Sequence, residues 1–247
     1  MYAPKHVQDF GEWARAIREA SGNRTKIWIQ VGTVREAMEA LDAAAPDVLV
    51  MQGTDAGGHG LAQGASVISL VPEVCDALRE AGADEVPVIA AGGITDGRGV
   101  AAALALGASG AVMGTRFLAA EEAGIANGWQ KEIIRVRDGG ITTSRSTLCD
   151  RLKGTVGWPQ QYDGRAITNQ GHLDEQNGMT DEENRRMYQD EAKQGDQAWG
   201  TSGRQVVYAG TGVGLVKAVK PAAEIVEDTA REAARILQRN AETIAKL

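Results

Sequence analysis

The chain has 247 residues, 43% hydrophobic and 24% charged, a composition close to the globular average and long enough to bury a substantial core. No window approaches about 18 consecutive apolar residues, which excludes a membrane-spanning helix, and the start Met1-Tyr2-Ala3-Pro4-Lys5-His6 lacks the apolar centre of a secretory signal. A net charge of −7 with scattered basic residues argues against nucleic acid or an anionic membrane as partner. Two cysteines are too few for a disulfide framework and point to a reducing, cytoplasmic compartment.

In chain order, residues 26–31 form a β-rich run ending at Gly32. Thr33 can cap a helix whose apolar face is Val34, Met38, Leu41 and Ala45. Residues 47–52 are almost continuously apolar, as expected of a parallel strand covered on both faces. Pro72 is placed in the first turn of a helix carrying Val74 and Leu78 and stopping at Gly82. A third strand is predicted over 86–91. Asp96 then opens a helix running through Val100 and Leu104 to Gly107. Residues 108–113 make a fourth strand and 116–124 a further helix.

After residue 125 the alternation stops. Residues 142–155 are short and mixed, and Trp158-Pro159 with Asp163-Gly164 read as loop and turn. Residues 173–200 are polar and acidic, with a capping box at Thr180 and Glu183. Residues 206–209 are strand-like. Residues 221–247 form an amphipathic helix with Val226, Ala230, Ala233, Leu237, Ala241 and Ile244 on one face.

The strand starts repeat about every 28 residues, the period of a (β/α)8 barrel, which needs roughly 250 residues in total. The chain spends only its first half on that pattern. The expected fold is therefore α/β of TIM-barrel type, incomplete, with about the last four β/α units and a C-terminal helical extension. Residues 1–125 hold the half barrel, and 126–247 supply loops and helices that complete the same domain.

Gly accounts for 31 residues and gathers after the apolar runs. Three segments at strand C-terminal ends, the functional edge of a parallel α/β sheet, carry candidate chemistry. Gln52-Gly53-Thr54-Asp55-Ala56-Gly57-Gly58-His59-Gly60 puts a histidine among small residues, suited to general base work and equally readable as a flexible turn. Ala90-Ala91-Gly92-Gly93-Ile94 and Met113-Gly114-Thr115-Arg116 can offer backbone N–H groups to a phosphate near a helix start. Each alone is also an ordinary tight turn. Together, on consecutive strands, they match the phosphate site that barrels build after their last two strands. That places Gln30 at the end of strand five and His59 after strand six.

These three motifs, with Trp28-Ile29-Gln30-Val31-Gly32-Thr33-Val34 and Tyr208-Ala209-Gly210-Thr211-Gly212, resemble the flavin-dependent nitronate monooxygenase family over nearly the whole chain. The resemblance implies a barrel holding FMN non-covalently and oxidising alkyl nitronates or nitroalkanes with O2 to carbonyl compounds and nitrite. It implies that His59 is the active-site base and that Gly92, Gly93, Gly114 and Thr115 hold the FMN phosphate. Gln30, Gln52, Gly57 and Gly58 would line the ribityl and ring portion. Family members carry four more units before the position of Ala3-Pro4, so the chain is expected to begin at the fifth. A half-sheet leaves an open edge, which makes a homo-oligomer an expected partner beside a small nitro compound and O2.

Two further readings stay open: a related FMN enzyme reducing quinones or enoyl thioesters with NAD(P)H, and a truncated, non-catalytic remnant. Cys75 and Cys149 lack metal-ligand spacing and read as ordinary thiols. His6 and His172 read as exposed, Asp181-Glu182-Glu183 as a helix start, and Arg145 and Arg165 as surface residues rather than ligand contacts. Gly210 and Thr211 could close over the pocket.

Overall fold

The computed structural model describes residues 1–246. Its first half runs α1 (Asp9–Ser21), β1 (Trp28–Val31), α2 (Val34–Ala44), β2 (Val48–Gln52), β3 (Gly58–Leu61), α3 (Val67–Glu80), β4 (Val88–Ala91), α4 (Gly97–Ala105) and β5 (Gly110–Val112). Strands β1, β2, β4 and β5 form one parallel sheet in that order, with Trp28 opposite Val48, Leu49 opposite Val88 and Ile89 opposite Gly110. Each is the neighbour of the next along the chain, the arrangement of consecutive barrel strands joined by helical crossovers.

Strand alternation sends Ile29, Val31, Leu49, Met51, Val88 and Ala90 into the main core with the helices. Val48, Val50 and Ala91 form a smaller cluster on the opposite face. β2 is thus buried on both sides, as its unbroken apolar run requires. In α2 the stripe against the sheet is Ala37, Ala40 and Ala44, with Val34, Met38 and Leu41 only flanking it. Small residues win the central positions because they let the helix approach the strands closely. Thr33 caps α2 through the Glu36 N–H, and Asp96 caps α4 through the Arg98 and Gly99 N–H groups.

Pro72 lies inside α3, five residues after its start, rather than in its first turn. Val67 to Val71 already bury Leu70 and Val71, and that packing outweighs the backbone bond that proline cannot donate.

The second half comprises α5 (Thr115–Leu118), α6 (Asn127–Arg135), α7 (Gly139–Thr142), β6 (Thr143–Ser146), α8 (Leu148–Lys153), β7 (Tyr162–Ile167), α9 (Gln170–Gln176), α10 (Asp181–Ala192) and α11 (Ala222–Ile244). The helix expected over 116–124 shrinks to α5, because the Lys220 N–H donates to the Ala119 carbonyl and the Glu121 N–H to the Lys220 carbonyl, bridging Ala120 to Lys220. Asp163-Gly164 is not a turn but the middle of β7, which pairs antiparallel with β3 on one side and β6 on the other. Residues 206–209 contribute a single bridge, Ala166 to Tyr208, rather than a strand. Helix α11 packs on α4 at Gly97, where a Cβ would come within 2.5 Å of the Glu232 Cβ. Its buried residues are Ile225 and Ala233, while Val226 and Ile244 face solvent, so the apolar face expected from the sequence is rotated.

Candidate active site

The C-terminal ends of β2, β4 and β5 deliver three glycine-bearing loops to one edge of the sheet. Gly92 and Gly93 adopt φ of 106° and 74°, a region costly for other residues. A Cβ on Gly92 would lie 2.8 Å from the Gly53 carbonyl oxygen, so the two loops touch through backbone. A fourth segment, from Ala209 to Gly212, is laid over the Asp55 and Thr115 loops. The Gly210 N–H donates to Thr115 Oγ1 at 2.9 Å, and the Thr211 N–H and hydroxyl donate to the Asp55 carbonyl at 3.0 Å and Oδ1 at 2.9 Å. A Cβ on Gly57 would sit 2.3 Å from the carbonyl carbon of Ala209. Only glycine fits there.

These loops enclose a cleft of about 120 Å³ lined by Gln30, Gln52, Gly57, Gly92, Gly93, Gly114 and Thr115, together with Thr95, Gly210 and Gly212. Seven residues singled out from sequence therefore meet in one place. Gly58 and His59 lie outside its lining. The backbone N–H groups of Gly92, Gly93, Gly114 and Thr115 donate to no described residue. Thr95 is 4% exposed, and its hydroxyl has no hydrogen-bond partner among the described residues. The buried, partnerless Thr95 hydroxyl and the four backbone N–H groups that make no bond to a described residue suit a phosphate-sized anion. The start of α4 contributes less than the sequence suggested, since the Asp96 carboxylate already occupies its first N–H groups.

Across Gly92 and Gly93 lies a wider groove of about 590 Å³, whose other walls include Ile68, Arg137 and Leu215.

His59 sits on β3 opposite Gly164 of β7. Its Nε2 lies 3.0 and 2.9 Å from the two carboxylate oxygens of Asp150 on α8. The imidazole stacks on Trp158 at 3.8 Å with an 11° interplanar angle, and Tyr208 is tilted against it at 5.4 Å. Gly164 makes room for this, because a Cβ there would meet the Tyr208 ring at 2.9 Å. The turn-like pair Asp163-Gly164 is thus a strand segment whose glycine serves packing. The Gln52 amide donates to the His59 carbonyl at 3.0 Å, linking the histidine strand to the cleft. Burial and the neighbouring Cys149 and Asp150 push the Tyr208 phenol well above its usual value, so it stays protonated and donates to Asp150 at 3.4 Å.

Arg145 and Arg165 are not surface residues. Arg145 pairs with Asp163 at 2.6 Å, both side chains largely buried, and donates to the Asp163 carbonyl at 2.9 Å. Arg165 donates to the Thr54 carbonyl at 3.0 Å, and burial beside Arg145 lowers its pKa. Together they tie β6 and β7 to the loop after β2. His172 is also buried, at 4% exposure, where it completes a capping box with Asn169 at the start of α9.

Sequence reasoning missed Asp150, Thr95, Trp158 and Tyr208. Asp150 sits in a six-residue helix in which Leu148, Cys149, Asp150 and Leu152 are all buried, so no periodic pattern marks it. Thr95 follows directly on the Gly92-Gly93-Ile94 motif, and its small hydroxyl was the available signal.

The family model described as nitronate monooxygenase matches residues 13–232. A nitronate monooxygenase of Metarhizium robertsii is 47% identical over 240 residues, covering 96% of this chain and 66% of the relative. A nitronate monooxygenase of Neurospora crassa is 45% identical, covering 84% of this chain and 53% of the relative. The chain thus spans between about half and two thirds of these relatives' length. Among solved structures, nitroalkane oxidase from Streptomyces ansochromogenes matches with a TM-score of 0.68 at 26% identity, over 92% of this chain and 62% of that one. FabK from Thermotoga maritima matches with a TM-score of 0.70 at 25% identity, over 93% and 68%. The fold is α/β of TIM-barrel type.

Proposed function

Because the chain belongs to the nitronate monooxygenase family, we propose that it carries the FMN phosphate site and the base of an enzyme oxidising alkyl nitronates or nitroalkanes with O2 to carbonyl compounds and nitrite. The observation that carries this reading is the small cleft, where the buried Thr95 hydroxyl has no partner and four backbone N–H groups make no bond to a described residue. Gly92, Gly93, Gly114 and Thr115 hold the phosphate through their backbone, and Thr95 adds a hydroxyl donor. Gln30, Gln52 and Gly57, which line the cleft, would face the ribityl chain and ring, with Gly58 just outside it. FMN, when bound, would supply the redox chemistry between substrate and O2.

The chain's own task is the proton and the enclosure. His59 accepts the acidic proton on the carbon next to the nitro group of a neutral nitroalkane, a step that a nitronate does not need. Trp158 and Tyr208 wall the imidazole and favour small, mostly apolar substrates. Residues 1–125 and 126–247 act as one unit in this reading, since β3 of the first segment pairs with β7 of the second.

Reconstitution with FMN tests the proposal. Flavin fluorescence should be quenched on binding, and ethyl nitronate should be consumed with release of nitrite. Thr95→Val should weaken FMN about tenfold or more, the worth of one hydrogen bond to a charged group. Failure to bind FMN at high micromolar concentration would remove the proposal. Reduction of the bound flavin by NADH, but not by a nitronate, would transfer the site to the quinone or enoyl-thioester reductases.

A further inference from the structure

We propose that Asp150 is a positioning residue for His59, holding the imidazole as the Nε2–H tautomer so that Nδ1 is the nitrogen that takes the substrate proton. The inference rests on the reading of His59 as the base and adds the group that sets which nitrogen acts.

Both carboxylate oxygens of Asp150 are within 3.0 Å of Nε2. The same carboxylate accepts from Thr155 Oγ1 at 2.8 Å and from the Tyr208 hydroxyl at 3.4 Å, and its side chain is only 8% exposed. A carboxylate ringed by donors can only accept, so Nε2 must carry the hydrogen. Nδ1 then has a free lone pair. It makes no hydrogen bond to any described residue, and the side chain that carries it keeps 13% of its surface exposed.

Ring orientation is fixed as well as ring chemistry. Trp158 stacks on one face of the imidazole, and Tyr208 closes a second side in the space left by Gly164. The bond from Gln52 to the His59 carbonyl sets the base at a constant height relative to the phosphate cleft. An oriented imidazole with one nitrogen on a buried carboxylate and the other free is the arrangement general base catalysis needs.

The test uses the full chain loaded with FMN and labelled with 15N histidine. With only three histidines, His59→Asn identifies the His59 signals. The neutral form of His59 should show a protonated Nε2 and a bare Nδ1. The reverse tautomer in the unsubstituted protein would overturn the proposal. In Asp150→Asn, which can donate to Nε2, the signals should shift toward the Nδ1–H form. Turnover of neutral nitroethane should fall about 100-fold in kcat, with KM within about threefold. Ethyl nitronate, whose carbon proton is already gone, should change less than about threefold. Equal losses on both substrates would mark Asp150 as merely structural and overturn the proposal, as would no loss on either. The tautomer spectrum requires no turnover, and it stands should Asp150→Asn fail to fold. Unchanged nitroethane turnover in His59→Asn would instead bring down the base reading itself.

Discussion

Two histidines touch successive residues of the short helix α8, and almost everything else about them differs. His59 places Nε2 on Asp150, keeps Nδ1 free, and stands between two aromatic rings at the end of a strand. His172 places Nε2 4.0 Å from Cys149 Sγ, while its Nδ1 lies 2.9 Å from Asn169 Oδ1 and 3.3 Å from the Asn169 backbone nitrogen. On paper the second site is the more suggestive, because cysteine, histidine and asparagine in that order form a known nucleophilic set. Burial removes the chemistry. Cys149 is fully buried and its thiol is pushed up to about 12 by desolvation, with Asp150 adding to the effect, so no thiolate is available. Burial lowers the His172 pKa, leaving it a neutral cap for α9. Residue identity is shared between the two sites, and access and an unspent nitrogen separate them.

The sharpest way to break this contrast is to replace each histidine in turn. His59→Asn should lower nitroethane turnover by at least about 100-fold while leaving FMN affinity within a few-fold, measured by nitrite release and flavin fluorescence. Retained turnover would put the two histidines back in one class. His172→Ala should do the opposite. The loss of the cap and the stranding of buried partners should cost about 2 kcal/mol, read as a lower Tm, with kcat unchanged in the folded fraction.

A smaller effect sharpens the same point through pH. The folded-state pKa of His172 lies below its unfolded value near 6.5, so the unfolded chain takes up the proton first as the solution is acidified. The stability that neutral His172 contributes is complete above that unfolded value and declines as pH falls below it toward the folded pKa. His172→Gln should flatten this part of the stability curve in urea titrations between about pH 7 and 5. An unchanged slope would show that another group carries it.

Legibility from sequence divides along the same line. The four parallel strands, the caps at Thr33 and Asp96 and the glycine loops could be read directly, because strand runs, capping hydroxyls and paired glycines are local signals. His59 was found because glycines flank it. What could not be read was its environment. Asp150 arrives from 91 residues away, and Trp158 and Tyr208 come from segments with no regular pattern. Asp163-Gly164 has the composition of a turn, yet β3 needs a partner, and pairing with it extends that stretch into β7. Arg145, Arg165 and His172 looked like surface residues because long or polar side chains usually are. Ion pairs, carbonyl acceptors and a capping box made their burial tolerable here.

By itself, then, the order of amino acids determined where strands start, where helices are capped and which loops must be glycine, since each depends on neighbours a few positions away. The three-dimensional fold alone decided which histidine keeps a nitrogen free, which carboxylate faces it, and that seven scattered residues share one cleft. The physical reason is that burial, hydrogen-bond satisfaction and access are properties of the space around a side chain, and that space is filled by residues far away in the chain.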